Sequence, residues 1–413
     1  MPARLRFWLP AAALGLATIG AYGTAYYAIG VLIPVMSEQT GWSTGALSGG
    51  FSVGVLGQGA VALAAGRTFD RYGSRPVLVP ALVVGTALLM AASFAQTSWQ
   101  FVAAWGMGGA AVGGGLYYNV TMPVTARLYP DRRASAFSVL TLLGALASPI
   151  FYPIAGALMD AFDWRVTLRV LVLLMAICVA PAAALVRAPA ASRPTNDDPA
   201  GAGTLAAALR RATVHRALIV VVFASFSSSA LLLHQVAAMQ GAGLSLAAAS
   251  GFAGMRGAFQ IPGRLLLNPL TARFGVRGSI ALCYATATTA ALALLVASGG
   301  GGATVLAFYF AAVGGMSLGL LSPLNGLFQA EVYGDARLGT LTGVSTVLGS
   351  VSAASGAWLA GVTVDVTGSY RPVLAVVIAL QVLAVLALLW QRAATRVVAS
   401  VEPARASAPG AGG

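Results

Sequence analysis

The sequence predicts an all-α integral membrane protein: twelve transmembrane helices arranged as two six-helix, pseudo-symmetric bundles. Three observations carry this expectation. Of 413 residues, 58% are hydrophobic and only 8% charged, far from the roughly one quarter charged in soluble domains. Uncharged runs cover residues 7 to 37, 39 to 66, 76 to 126, 134 to 159, 217 to 255, 278 to 330, 338 to 364 and 372 to 391. A hydrocarbon core about 30 Å thick needs about 20 apolar residues at 1.5 Å each, so several of these runs hold two spans. Finally, the loops between runs repeat at an offset near half the chain.

The expected spans lie near 9-35, 43-66, 77-96, 99-126, 134-159, 166-187, 217-239, 246-268, 279-298, 303-329, 339-361 and 372-391. Gln96-Thr97-Ser98 divides the third from the fourth, residues 240 to 245 the seventh from the eighth, and Gly299 to Gly302 the ninth from the tenth. Lipid offers backbone amides no partner, so each span must satisfy its own hydrogen bonds as a helix. A barrel would show alternating ten-residue segments instead. The first apolar run exceeds a signal-peptide core and reads as a retained span. Cys178 and Cys283 fall inside spans, where a thiol acts as a small apolar group. They suggest neither a disulfide framework nor a metal site.

The net charge of +13 comes from 24 arginines and no lysine. Arg165, Arg169 and Arg371 stand at one side, Arg256 lies within the eighth span, and the other 20 fall on the opposite side. By the positive-inside bias this places both termini in the cytoplasm of an inner-membrane protein. The basicity thus reports topology and excludes nucleic acid as a partner. The expected organisation is a first bundle at 1-187, a cytoplasmic linker with a short basic surface helix at 188-215, a second bundle at 216-396 and a disordered tail at 397-413.

The duplication is legible in the loops. Between spans two and three the chain reads Gly66-Arg67-Thr68-Phe69-Asp70-Arg71-Tyr72-Gly73-Ser74-Arg75-Pro76, and between spans eight and nine Arg71, Gly73 and Arg75 recur 202 residues later as Arg273, Gly275 and Arg277. The acid has become Ala272. After spans four and ten, Tyr129, Asp131 and Arg133 recur 204 residues later as Tyr333, Asp335 and Arg337. Such offsets mean a duplicated six-helix unit with parallel halves, and a site between them.

Residues 66 to 76 resemble the loop 2-3 signature of the major facilitator superfamily, a resemblance covering residues 7 to 395. Tyr129-Pro130-Asp131-Arg132-Arg133 followed by Ser148-Pro149 is similar to the monocarboxylate-transporter and oxalate-formate-antiporter branch. The resemblance implies that Asp70 locks an inner gate against the start of span eleven and a nearby arginine. Arg71, Arg75, Asp131, Arg133 and Arg337 join it as gating residues. It also places a substrate arginine at Arg264, four residues before Asn268, the counterpart of Gly66. The acid that proton-linked members carry near that arginine is missing, since Phe252 and Gln260 hold those positions.

An ionisable side chain at mid-membrane is costly unless it faces a partner or a wet cavity, so each one marks a candidate site. Arg256 lies about ten residues into span eight, and its planar fork suits a carboxylate. Arg264 is about 80° round and about 12 Å further along the same helix, so both could line one wall. Structural pairing of Arg256 and snorkelling of Arg264 stay open. All eleven acids fall in loops, tails or helix ends. His234 is the one intramembrane group that titrates near neutral pH, hence the candidate proton carrier. Tyr26, Asn119, His234 and Asn325 could donate further hydrogen bonds to an anion, with interhelical bonding the alternative for each.

The leading expectation is a secondary transporter of a small organic anion, a mono- or dicarboxylate, acting as a monomer by alternating access with protons or an exchanged anion. Efflux of a hydrophobic or cationic compound is the alternative, with a non-transporting sensor behind it. An enzyme would need a convergent nucleophile, base or metal set. One histidine and two isolated cysteines do not supply it, and no cofactor or metal is expected.

Overall fold

A computed structural model describes residues 3–190, 209, 211–333 and 338–405. Among them every regular element is helical. In the first half, α1 (Ala3–Tyr22), a π-helical turn at Gly23–Tyr27 and α2 (Ile29–Thr40) form one rod. α3 (Thr44–Tyr72), α4 (Arg75–Ala92), α5 (Ser98–Leu116), α6 (Tyr118–Leu128), α7 (Arg133–Gly144), α8 (Ala147–Ala161) and α9 (Trp164–Leu185) follow. The second half comprises α10 (Ala212–Gly241), α11 (Leu246–Ala258), α12 (Gln260–Leu265), α13 (Leu267–Ala297), α14 (Ala303–Tyr333), α15 (Leu338–Thr367) and α16 (Arg371–Arg405).

Among the described residues, ten helical stretches are long and apolar enough to cross a membrane. They match ten of the twelve expected spans. The fourth and eighth do not qualify as single helices, and the physical cause is local in each. The fourth divides at Tyr117, whose backbone is extended after Gly113-Gly114-Gly115, a run of poor helix formers. The eighth divides at Phe259, three residues before Pro262, whose ring collides with the carbonyl four residues back. Pro149 acts likewise between α7 and α8.

The duplication persists in three dimensions. Gly73 and Gly275 both combine a positive φ with a fully extended ψ, a conformation that is essentially restricted to glycine. Ser43 Oγ accepts from the amide of Ala46 at the start of α3, and Ser245 Oγ accepts from Ala248 at the start of α11. Small residues bring α3 and α5 into backbone contact: a Cβ on Gly54 would sit 3.5 Å from both Gly106 O and Gly109 Cα. Close approach through small surfaces is how helices associate in lipid.

Ala188, at the start of the linker, donates to Ser74 Oγ at 2.9 Å, and Ser74 N donates back to its carbonyl at 3.1 Å. Of the expected linker, residues 191–208 and 210 lie outside the described residues, as do Asp335 and Arg337, and residues 212–215 belong to α10. Residues 406–413 of the expected tail lie outside the described residues, and the last helix runs on to Arg405. The alanine, valine and arginine of this stretch include good helix formers.

Candidate functional site

Among the described residues, the hydrogen bonds that join the two halves lie toward one end of the bundle. The basic end carries Arg67, Arg71, Arg75, Arg127 and Arg277; the far end lies opposite. At the far end Asp365 closes α15 onto α3: Oδ1 accepts from Thr44 N at 2.8 Å and Oδ2 from Gly45 N at 2.7 Å. Unpaired amides at a helix N-terminus favour a carboxylate. Gly45 is required, because a Cβ there would lie 2.8 Å from Asp365 Oδ2 and 2.9 Å from Val362.

Deeper along the same seam, Ser52 Oγ donates to Ala354 O at 2.7 Å. His234 Nε2 lies 3.1 Å from Ala357 O and 3.4 Å from Ser48 Oγ. The second seam packs α8 on α11, with Gly156 against Ser250 and Gly254 against Pro153. Counted from the nearest far-end helix terminus, these contacts lie within about 15 Å at 1.5 Å per residue.

Between the seams, a chain of side chains reaches Arg256. Its Nη1 donates to Gln235 Oε1 at 3.0 Å, and Gln235 Nε2 donates to Tyr152 Oη at 2.7 Å. Tyr152 in turn donates to Leu232 O at 3.2 Å. All three side chains are buried. The guanidinium carbon stands 4.8 Å from the Phe310 ring centre, a cation–π contact. Arg256 Nε is buried without a hydrogen-bond partner, and no carboxylate pairs with this cation among the described residues.

Toward the basic end, a cavity of about 300 Å³ opens between the halves. Tyr26 and Gln58 line it from the first half, and Ser225, Asn325, Gln329 and Ser350 from the second. These groups are neutral donors and acceptors. Tyr26 belongs to an aromatic cluster in which Tyr22 stacks on Tyr117 at 3.8 Å and Tyr27 stands 5.6 Å from Tyr152. The π turn and the break at Tyr117 build this cluster.

The residues singled out from sequence therefore divide. Tyr26 and Asn325 share the cavity, while Arg256 and His234 sit in the inter-half contact. Arg264 lies within electrostatic reach of Tyr118, and its Nε is also buried without a partner. Asn119, at the start of α6, is spent on the end of α5, donating to Gly114 O at 3.0 Å and so capping a carbonyl freed by the break at Tyr117. Asp70 pairs with Arg127 at the end of α6, and Arg127 also covers the Phe69 ring at 4.0 Å. Asp131 lies within a short 3-10 turn, Pro130–Arg132, at the same end, and Arg133 follows it as the first residue of α7.

Sequence reasoning missed Gln235 and Tyr152 as partners of Arg256, because neutral polar residues abound in these helices. It also missed Arg127, whose counterpart 204 residues on is Glu331; Glu331 pairs with Arg277 at 3.0 Å. The charge at this position is reversed between halves, and its loop partner shifts from Asp70 to Arg277, the counterpart of Arg75, a signal visible only when both copies are aligned. No group of three or more His, Cys, Asp or Glu forms a metal-ligating arrangement among the described residues.

A family model described as Major Facilitator Superfamily matches residues 14–357. The chain belongs to this superfamily. Among solved structures of similar fold, a mutant of the nucleoside transporter NupG superposes with a TM-score of 0.78 at 13% identity, covering 93% of this chain and 99% of its own. A bacterial homolog of the human lysosomal transporter Spinster superposes at 0.69 with 14% identity, covering 96% and 98%. At such identity these likenesses concern the superfamily fold. Multidrug resistance protein MdtL of Escherichia coli (strain K12 / DH10B) is 31% identical over 146 residues, 35% of this chain and 36% of that relative. The match thus spans little more than a third of the relative's length.

Proposed function

We propose that this superfamily member is a secondary active transporter that moves a small organic anion, a mono- or dicarboxylate, by alternating access. One observation carries the reading. Arg256 is 8% exposed at mid-depth, its one side-chain hydrogen-bond partner among the described residues is a neutral amide, and its Nε is unpartnered. A buried cation without a counter-charge is expensive. A carboxylate arriving through the cavity would supply that charge, and the guanidinium fork would orient it. Arg264, within electrostatic reach of Tyr118, is the second candidate, with Tyr26 and Asn325 binding the rest of the solute.

In this reading there are twelve crossings, the two broken helices included, and the basic end faces the cytoplasm. The contacts at the far end then describe a state closed outward and open inward. Rocking of the halves would break the Asp365 and Ser52 contacts and close the basic end, where Asp70, Arg71, Arg75, Asp131, Arg133 and Arg337 gate. His234 is the proton carrier if coupling is to protons, and an exchanged anion is the other partner. The working unit is a monomer of the inner membrane, and no bond of the solute is broken.

The neutral amides and hydroxyls of the cavity favour a second reading, a neutral polar solute. Equilibrium binding separates the two. A bound ligand stabilises the folded protein by RT ln(1 + [L]/Kd) and so raises its unfolding midpoint, so small carboxylates and neutral polyols are titrated against purified wild type and Arg256→Gln. Stabilisation by a carboxylate, weakened at least about ten-fold in the variant, is the expected result. Stabilisation by polyols alone, equal in both proteins, would overturn it.

A further inference from the structure

The outer face of the first half holds a second cavity that the transport reading does not use. Val61, Ala64, Ala65 and Thr68 of α3, Pro76, Val77, Pro80, Ala81 and Val84 of α4, and Ala111 and Gly115 of α5 enclose about 310 Å³. It exists because small side chains stand where α3 and α4 diverge over α5. Its lining is apolar apart from the Thr68 hydroxyl, which is committed to Ala64 O at 2.8 Å. A concave apolar groove on the outside of a membrane-spanning bundle faces acyl chains.

The rim at the basic end is cationic. Ala64 and Thr68 are four residues apart and Arg71 follows three later, one helical face throughout. Arg67 shares that face one turn before Arg71. Arg75 opens α4 next to Pro76. All three arginines are exposed. Asp70, the acid beside them, is already held by Arg127, and no other carboxylate pairs with Arg67, Arg71 or Arg75 among the described residues.

We propose that this groove binds one acidic phospholipid from the leaflet at the basic end, the inner one in the orientation above. One acyl chain lies between α3 and α4 over α5, and the headgroup phosphate sits between Arg71 and Arg75. Charge complementarity selects the acidic lipid, since each arginine near an anionic headgroup contributes about 1 kcal/mol, while the groove supplies a place for the chain that a flat helix face lacks. The site adjoins the loop 2-3 segment, so an occupied headgroup would hold Arg71 and Arg75 away from any partner in the other half. The proposal does not depend on which solute is carried.

Lipid binding by the full chain in mixed micelles is read by native mass spectrometry, with phosphatidylglycerol competing against phosphatidylcholine. Wild type is expected to retain one phosphatidylglycerol selectively. Arg71→Gln with Arg75→Gln should lower that preference about 30-fold, two arginines at about 1 kcal/mol each, while the lysine pair, Arg71→Lys with Arg75→Lys, should keep most of it. Ala64→Trp fills the groove from an exposed position and should displace the retained lipid with the arginines intact. Glycerol phosphate, which has no chain, should not compete. Equal retention of both lipids by wild type, an undiminished preference in the glutamine pair, no effect of Ala64→Trp, or effective competition by glycerol phosphate would each overturn the proposal.

Discussion

At the scale of single residues, Arg256 organises the centre of the protein. Its charge is legible in the sequence because nothing else in span eight is ionisable until Arg264. Its surroundings are not, because Gln235 and Tyr152 come from helices 21 and 104 residues away in the chain. If the guanidinium fork is what an anion recognises, charge alone will not replace it. Arg256→Lys is therefore expected to weaken carboxylate binding about ten-fold or more while the unfolding midpoint without ligand falls little; unchanged affinity would show that a point charge suffices. Asn119 is the contrasting case. Its type suits a binding site, yet its amide caps Gly114 O, a role set by the helix break at Tyr117. Asn119→Ala should cost about 1 kcal/mol of stability and leave anion affinity unchanged, measured by thermal unfolding with and without carboxylate.

At the scale of elements, apolar run length located ten helical stretches directly, while two expected spans emerged broken. Run length reports burial in lipid, whereas the breaks depend on Pro262 and on the Gly113 to Gly115 run, whose effects are local and backbone-mediated. The loop duplication was fully legible at Gly73 and Gly275, because their shared backbone conformation demands glycine in both copies. The reversal of charge from Arg127 to Glu331, with the loop partner shifting from Asp70 to Arg277, was not. Asp70 is 62% exposed and Arg127 27%, so solvent screens the pair. A double-mutant cycle of Asp70→Asn and Arg127→Gln on unfolding should give a coupling below about 1 kcal/mol; a much larger coupling would make the pair a structural staple. The Asp365 contact at the start of α3 works on the equilibrium between states. Asp365→Asn removes a carboxylate from a helix N-terminus, a change of about 1 kcal/mol. In a background lacking Cys178 and Cys283, a cysteine introduced as Gly49→Cys should then react several-fold faster with an impermeant thiol reagent from the far side. An unchanged rate would show that the seam does not depend on this carboxylate.

At the scale of the whole molecule, two related bundles share a seam at one end and a polar cavity toward the other, with a buried arginine between. That arrangement follows from the duplication, because each half supplies one partner to each seam: α3 meets α15, and α8 meets α11. Composition and the loop 2-3 signature sufficed to read the superfamily fold. The solute was less legible, because the groups that would hold it are scattered across five or more helices and assembled only by packing. The most direct measurement is uptake of labelled small carboxylates into proteoliposomes, with labelled neutral and cationic compounds in parallel, for wild type and folded Arg256→Gln. The account predicts carboxylate flux in wild type that falls at least about ten-fold in the variant. Flux confined to neutral or cationic compounds, or carboxylate flux indifferent to Arg256, would contradict it.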